Sequence, residues 1–242
     1  MRKLVVDIQV GLIAIAAALV IGVLIAANTF TAAHHTRDTI SVTGSAKQPI
    51  HADLVQWDLY IATEGPVLAG AAQRLQGDVA RVRRFLRKGG LAAGELGLPP
   101  LRTESYERRL SKKRTVIVFR ASQSIRIQTH NIDAVDALGR QLGILVAHGI
   151  DVSAQPIAYV STQLAEARIA ALAAATANAQ QRAETIVKGL GAKLGRLRQA
   201  NLGVYQVTPR YSTDVAGGGI NDTSSRQKDV TAVVTVTFEV KN

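Results

Sequence analysis

The chain has 242 residues, of which 47% are hydrophobic and 19% charged, and this composition excludes a disordered or collagen-like protein. It contains no cysteine, which excludes disulfides, thiolate zinc sites, iron–sulfur clusters and cysteine nucleophiles. The 29 basic and 18 acidic residues give a net charge of +11, so we expect the protein to attract anionic partners.

The N-terminal segment determines the expected compartment. Residues 8–27 include one polar side chain, Gln9, and a helix of this length spans the hydrocarbon core of a bilayer. Arg2 and Lys3 precede it, so the positive-inside rule places residues 1–7 in the cytoplasm and predicts export of the rest. The alternative is a cleaved signal peptide.

The exported part begins with a polar linker at residues 28–38 and continues as one domain at residues 39–242. Alternating apolar side chains predict two strands, 40–45 and 55–61, and a turn at residues 47–50 predicts that they form a hairpin.

Three segments are predicted to be helices, the first two from the helical spacing of their apolar residues. The first is 68–86, ended by Gly89 and Gly90. The second begins after Asn131, a predicted N-cap, and ends before Gly149. The third is the alanine-rich segment 162–188, whose composition strongly favours a helix.

Alternation also predicts strands, at residues 114–129, 156–160, 193–207 and 230–240. Gln123 interrupts the apolar face of the longest, which indicates a bulge or a sheet edge there. Residues 91–113 are predicted to be irregular, with a short strand at 101–106, and residues 209–228 to be a polar loop. The order of elements predicts an α+β domain with mostly antiparallel sheet and three helices, preceded by a transmembrane helix.

In these motifs the chain resembles the SIMPL-domain family, which includes bacterial envelope proteins and animal proteins associated with a signalling kinase. The resemblance covers roughly residues 39–240 and rests on the order and spacing of several short motifs. The motifs are residues 40–45, 52–55 and 57–61, the strand ending at 125–127, the turn at 147–149, the alanine-rich helix 165–183 with the glycines at 189, 191 and 195, and the strand 230–240.

The resemblance implies an α+β domain that self-assembles into rings or hollow homo-oligomers in the bacterial envelope. It implies a scaffold or stress-protective role and no catalytic residues. Combined with residues 8–27, it predicts a single-pass protein of the bacterial inner membrane with a periplasmic C-terminal domain. With a cleaved N-terminus the protein would instead be periplasmic or outer-membrane associated.

The residues themselves predict neither an enzyme nor a cofactor or metal site. The five histidines show no metal-ligand spacing. Residues 189–195 resemble a phosphate loop only faintly, because phosphate loops follow a strand and this segment follows a predicted helix. Ser45 lies in no GxSxG motif.

Positive charge is concentrated in residues 74–114, which contain 12 basic and four acidic side chains. One interpretation is an ordinary solvated surface. The other is a periplasmic binding surface for an anionic ligand, lipid or envelope polymer. Nucleic acid is not an expected partner, because aromatics are scarce and the domain is predicted to be exported. The candidate binding residues are Arg81, Arg84, Lys88, Arg108, Arg109, Lys112, Lys113 and Arg114.

Overall fold

The computed structural model describes Val23 and residues 38–241. Apart from Val23, the predicted anchor at 8–27 lies outside the described residues, as do residues 1–7 and nearly all of the linker. Among the residues described, no helix is long and apolar enough to cross a membrane.

The described chain is an α+β fold with mostly antiparallel sheet, as predicted. Its strands are β1 Thr39–His51, β2 Leu54–Gly65, β3 Leu96–Gly97, β4 Arg102–Ser111, β5 Arg114–Thr129, β6 Val152–Ala154, β7 Ala158–Val160, β8 Lys193–Leu202, β9 Gln206–Pro209, β10 Ile220–Asn221 and β11 Gln227–Lys241. Its helices are α1 Leu68–Lys88, α2 Ile132–Gln141, α3 Gly143–Ala147 and α4 Leu164–Gly189.

The strands form two sheets. In the first, β5 lies between β3 and β2, with β4 also paired to β5 and with β6 and β7 paired to β2. In the second, the order is β1-β11-β9-β10, and β8 pairs with β11. The pairing of β9 with β10 is parallel, whereas all pairs of the first sheet are antiparallel.

The chain divides into two compact units. The larger contains residues 43–179 and 201–234. The described part of the smaller contains Val23 and residues 38–42, 180–200 and 235–241. Four elements, β1, α4, β8 and β11, each begin in one unit and end in the other.

The core of the larger unit lies between α1 and one face of β2 and β5. Because side chains alternate along a strand, the inward residues of β2 are apolar and buried. Helix α1 contributes buried residues three or four positions apart. Burial of each large aliphatic side chain stabilises the fold by about 1.5–3 kcal/mol. The main contributors are Val55, Trp57, Leu59, Ile61, Leu75, Val82, Leu86, Ile125 and Ile127.

Helix α4 buries a stripe of small residues at four-residue intervals. They are Ala167, Ala171, Ala175, Ala179 and Ala183. In the larger unit this stripe brings the helix very close to β1. A Cβ atom built on Gly44 would lie 2.7 Å from Cβ of Ala179 and would clash with the carbonyl oxygen of Ala175. Glycine at this position therefore permits the contact between helix and strand.

The predicted hairpin of the first two strands is wrong. Strand β1 continues through residues 47–50 and pairs with β11, whereas β2 belongs to the other sheet. The link between them is held by other segments, since Ala52 N donates to Arg226 O at 2.8 Å and Asp53 N to Val160 O at 3.0 Å. The turn-forming residues at 47–50 are thus part of a strand whose partner lies far away in sequence.

The second predicted helix is divided at Leu142 into α2 and α3. Its ends agree with the prediction, because Asn131 Oδ1 accepts a hydrogen bond from Ala134 N at 3.2 Å and Gly149 has φ of 78°. Gln123 needs no bulge, since it pairs regularly with Ile61 and its Nε2 donates to Pro99 O at 2.8 Å.

Residues 91–113 were predicted to be irregular apart from a short strand at 101–106, and the structure shows more regular structure than that. They contain β3 and the ten-residue strand β4. Nine of the ten residues of β4 are exposed, and Tyr106 is partly buried. A strand with solvent on both sides does not alternate apolar and polar side chains, so the sequence lacks the two-residue period that predicts a strand.

Candidate functional site

Strands β4 and β5 form a two-stranded arm that extends past the end of β2. Strand β2 pairs with β5 only between Phe119 and Thr129, and Gly65 is its last paired residue. Within the described residues, Arg114 to Val118 pair with β4 alone. We call residues 106–118 the arm.

The base of the arm is fixed by Glu64, the second-to-last residue of β2. Tyr106 Oη donates to Glu64 Oε1 at 2.6 Å, and the guanidinium of Arg108 pairs with Glu64 Oε2. The hydrogen bond from Tyr106, followed by that from Arg108, lowers the pKa of Glu64. Arg108 therefore forms an ion pair within the domain, unlike the cations farther along the arm.

Four cations lie at the end of the arm, and we call them the tip cations. They are Arg109, Lys112, Lys113 and Arg114. Among the described residues, none of these side chains has an ion-pair partner. Lys112 and Lys113 form the turn, because Ser111 pairs with Arg114. The register shifts between Arg109 and Ser111, which leaves Leu110 between the cations with 54% of its surface exposed.

The other three candidate residues, Arg81, Arg84 and Lys88, lie on α1. Helix α1 starts just after β2 ends, beside the base of the arm, and runs back along the sheet. Its end leads to Leu96, which pairs with Ile127 near the opposite end of β5. Arg81 also pairs with Asp78 one turn before it. The structure therefore gathers five of the eight candidates in the arm and places the other three elsewhere.

The arm concentrates charge in a small volume. It contains five basic residues and one acidic residue, a net charge of +4 within residues 106–118. Its chemistry is attraction of anions by unpaired ammonium and guanidinium groups. Among the described residues, no three His, Asp or Glu side chains lie close enough together to hold a metal ion.

Sequence reasoning missed Leu110. The residue stood in a segment predicted to be irregular, and a single leucine among cations gives no periodic signal. Residues 107–111 show no alternation, and Lys112-Lys113 is not one of the glycine-containing pairs that identify a two-residue hairpin turn, so no local signal marked the arm as a hairpin.

A second exposed surface lies on α4, opposite its buried alanine stripe. Between Arg168 and Arg182 the helix carries no charged residue. Ile169 is 70% exposed there. We call the exposed residues Ile169, Ala170, Ala173, Ala174 and Ala177 the outer face of α4.

A known domain matches most of the chain, and the length of this match shows the family to which the chain belongs. The model of SIMPL proteins, described as proteins of unknown function (DUF541), matches residues 40–238. The chain belongs to the SIMPL family. The match spans both described units of the SIMPL domain, including the arm and α4. No curated protein matches this SIMPL chain.

Solved structures show only slight likeness to the SIMPL chain. The de novo designed protein Foldit4 is 10% identical over 44% of this chain and 98% of its own, with a TM-score of 0.25. An amidase of the hydantoinase/carbamoylase family from Burkholderia phymatum is 13% identical over 55% of this chain, with a TM-score of 0.26. The SIMPL chain spans 37% of that amidase. Neither likeness bears on what the SIMPL domain does.

Proposed function

We propose that this SIMPL protein is a non-catalytic, self-assembling scaffold of the bacterial cell envelope, with a protective role under stress. Residues 8–27 tether it to the inner membrane, and the domain at 39–242 lies in the periplasm. The observation that supports assembly is the outer face of α4, a length of exposed helix without charge.

The outer face suits contact with a second copy of the chain. Alanine side chains have no rotamer entropy to lose, and they let two helices approach closely. Depletion of charge at the centre is the compositional mark of protein interfaces. The same patch on every copy gives either a closed dimer or, with a complementary surface, a ring.

A double variant tests assembly directly. Ile169→Lys with Ala173→Glu places two charges on the outer face, and we expect the native mass in mild detergent to fall from a multiple of 25.7 kDa to that value. The matched control, Gln73→Lys with Gln76→Glu, adds the same charges to the exposed side of α1 and should leave the mass unchanged. A single-copy wild-type protein would contradict the proposal.

Membrane tethering has its own test. N-terminal sequencing of the protein from the membrane fraction should find residues 8–27 still attached. A mature chain that starts between residues 28 and 38 would instead support the cleaved, periplasmic alternative.

The arm supports a second function, docking of the domain on an anionic lipid surface or acidic envelope polymer. The specific observation is the tip cations, which have no ion-pair partner in the described chain. Each basic residue near an anionic membrane contributes about 1 kcal/mol, and the attraction decreases as salt screens it.

Because the chain has no cysteine, one introduced thiol labels the arm selectively. With Leu110→Cys carrying an environment-sensitive dye, we expect a blue shift in vesicles of anionic lipid that high salt reverses. Changing all four tip cations to Gln should abolish it. A dye at Val215→Cys, where the wild-type residue is 80% exposed, is the control. An equal shift in neutral vesicles would exclude electrostatic docking.

A further inference from the structure

A cleft opens on the face of the first sheet that points away from α1. Its volume is about 360 Å³, within the range of small-ligand pockets. Gln56 and Asp58 of β2 line it, together with Arg126 and Gln128 of β5. These four pair across the strands, Gln56 with Gln128 and Asp58 with Arg126, so their side chains share one face of the sheet.

One wall of the cleft is an irregularity in the edge of the sheet. Strand β6 pairs Ala154 with Leu59, and strand β7 pairs Ala158 with Gln56. The chain thus advances four residues, from Ala154 to Ala158, while β2 advances three between the paired residues Leu59 and Gln56. The extra residue makes a bulge that contains Gln155 and Pro156. Bulges of this kind often occur beside binding sites, where they redirect side chains.

The polar side chains of the cleft have no partners in the described chain. Gln56, Asp58, Arg126, Gln128 and Gln155 make neither a side-chain hydrogen bond nor an ion pair with any described residue. Asp58 and Arg126 lie opposite each other without an ion pair within 4 Å. Three amides, a carboxylate and a guanidinium thus present both donors and acceptors to whatever enters.

We propose that this cleft binds a neutral saccharide chain. Asp58 and Arg126 cancel in charge, which disfavours both simple anions and simple cations. The amides of Gln56, Gln128 and Gln155 each offer a donor and an acceptor, the pairing that a hydroxyl or acetamido group requires. Pro156 supplies an apolar surface for the C–H face of a sugar ring.

Tryptophan fluorescence can report ligand binding in the cleft of the full chain. Trp57 is the chain's single tryptophan, and its side chain lies in the core beneath the cleft. Its Nε1–H donates to Gln155 O, in the wall of the cleft, at 3.0 Å. We expect titration with chitotetraose to give a saturable change in its emission and a matching heat in calorimetry. Maltotetraose, which lacks acetamido groups, should bind more weakly.

Asp58→Ala and Gln128→Ala should each weaken binding at least about tenfold, since each removes a hydrogen-bonding group at a cost near 1.4 kcal/mol. Gln73→Ala, on the exposed side of α1, is the control and should bind as the wild type. The proposal is overturned if calorimetry detects no sugar binding at millimolar concentration, if Asp58→Ala binds normally, or if triglycine binds and the sugars do not. None of these binding measurements depends on the native mass, so the proposals of self-assembly and of sugar binding can be contradicted independently of each other.

Discussion

At the scale of single residues, Gly44 lies at a close contact between β1 and α4 in the larger unit. Replacing it by valine would force a side chain into the contact with Ala175 and Ala179. We expect Gly44→Val to lower the free energy of unfolding by about 1–3 kcal/mol, measured by urea denaturation. Gly77→Ala on α1 is the control, because nothing lies within 4 Å of its added Cβ. Alanine there should stabilise the helix by about 0.5–1 kcal/mol, and a similar loss in both variants would contradict the packing argument.

A buried ion pair joins Asp222 and Lys228. The Lys228 side chain is 2% exposed, and its Nζ donates to Asp222 O at 2.7 Å and to Asp222 Oδ2 at 2.9 Å. Burial alone would raise the pKa of Asp222. Hydrogen bonds from Ser225, Ser224 and Lys228 outweigh it and hold the pKa far below its ordinary value.

Because the folded-state pKa of Asp222 is depressed, its stabilisation is present above the unfolded pKa near 3.9 and lost as the pH falls below it. We expect Asp222→Asn to cost about 3–5 kcal/mol at pH 7, since Lys228 is left buried without an anion. Stability should then vary less with pH on the acid side, as measured by thermal unfolding. Asp133→Asn breaks an exposed pair with Arg226 and should cost at most about 1 kcal/mol. Equal losses would refute the role of burial.

The burial of Lys228 could not be predicted from the sequence. Its position at the end of a polar, glycine-rich segment indicated a loop, and a lysine is ordinarily exposed. Its burial depends on an aspartate six residues earlier and on the start of β11, neither of which has a periodic signal. By contrast, the caps at Asn131 and Gly149 were predictable, because capping is a local property of the backbone.

At the scale of elements, the arm is expected to be dispensable for folding. Replacing residues 108–116 by Asn-Gly would close the ribbon at the paired residues Glu107 and Ile117 with a favoured two-residue turn. Because most of the removed side chains are exposed, the free energy of unfolding should change by less than about 1 kcal/mol. Urea denaturation measures this. A loss as large as that of Gly44→Val would mean that the arm packs against the domain.

Elements with a buried face were predictable, and those without one were not. Helix α1 and strands β5 and β11 follow from apolar spacing, since each has one side in the core, whereas α4 follows from its alanine content. Only the first half of strand β4 was predicted, because both its sides face solvent. The pairing of β1 with β11 escaped because partners about 190 positions apart leave no local trace in the sequence.

At the scale of the whole molecule, the family and the α+β class were predictable, because they depend on the order of elements. The proposed binding surfaces differ in this respect. The tip cations lie within six residues of one another in sequence, so the local concentration of charge revealed them. The outer face of α4 also comes from a single segment, but the structure was needed to show which of its residues are exposed. The cleft draws its five polar side chains from three separate segments, and only the sheet register brings them together.

Strands β1, β8 and β11 and helix α4 each pass from one compact unit into the other. Neither unit therefore corresponds to an uninterrupted stretch of the gene. A stop codon after Val234 would cut β11 in the middle of its length. Moving one unit into another gene would cut the shared elements, so we expect the two units to be inherited, duplicated and lost together.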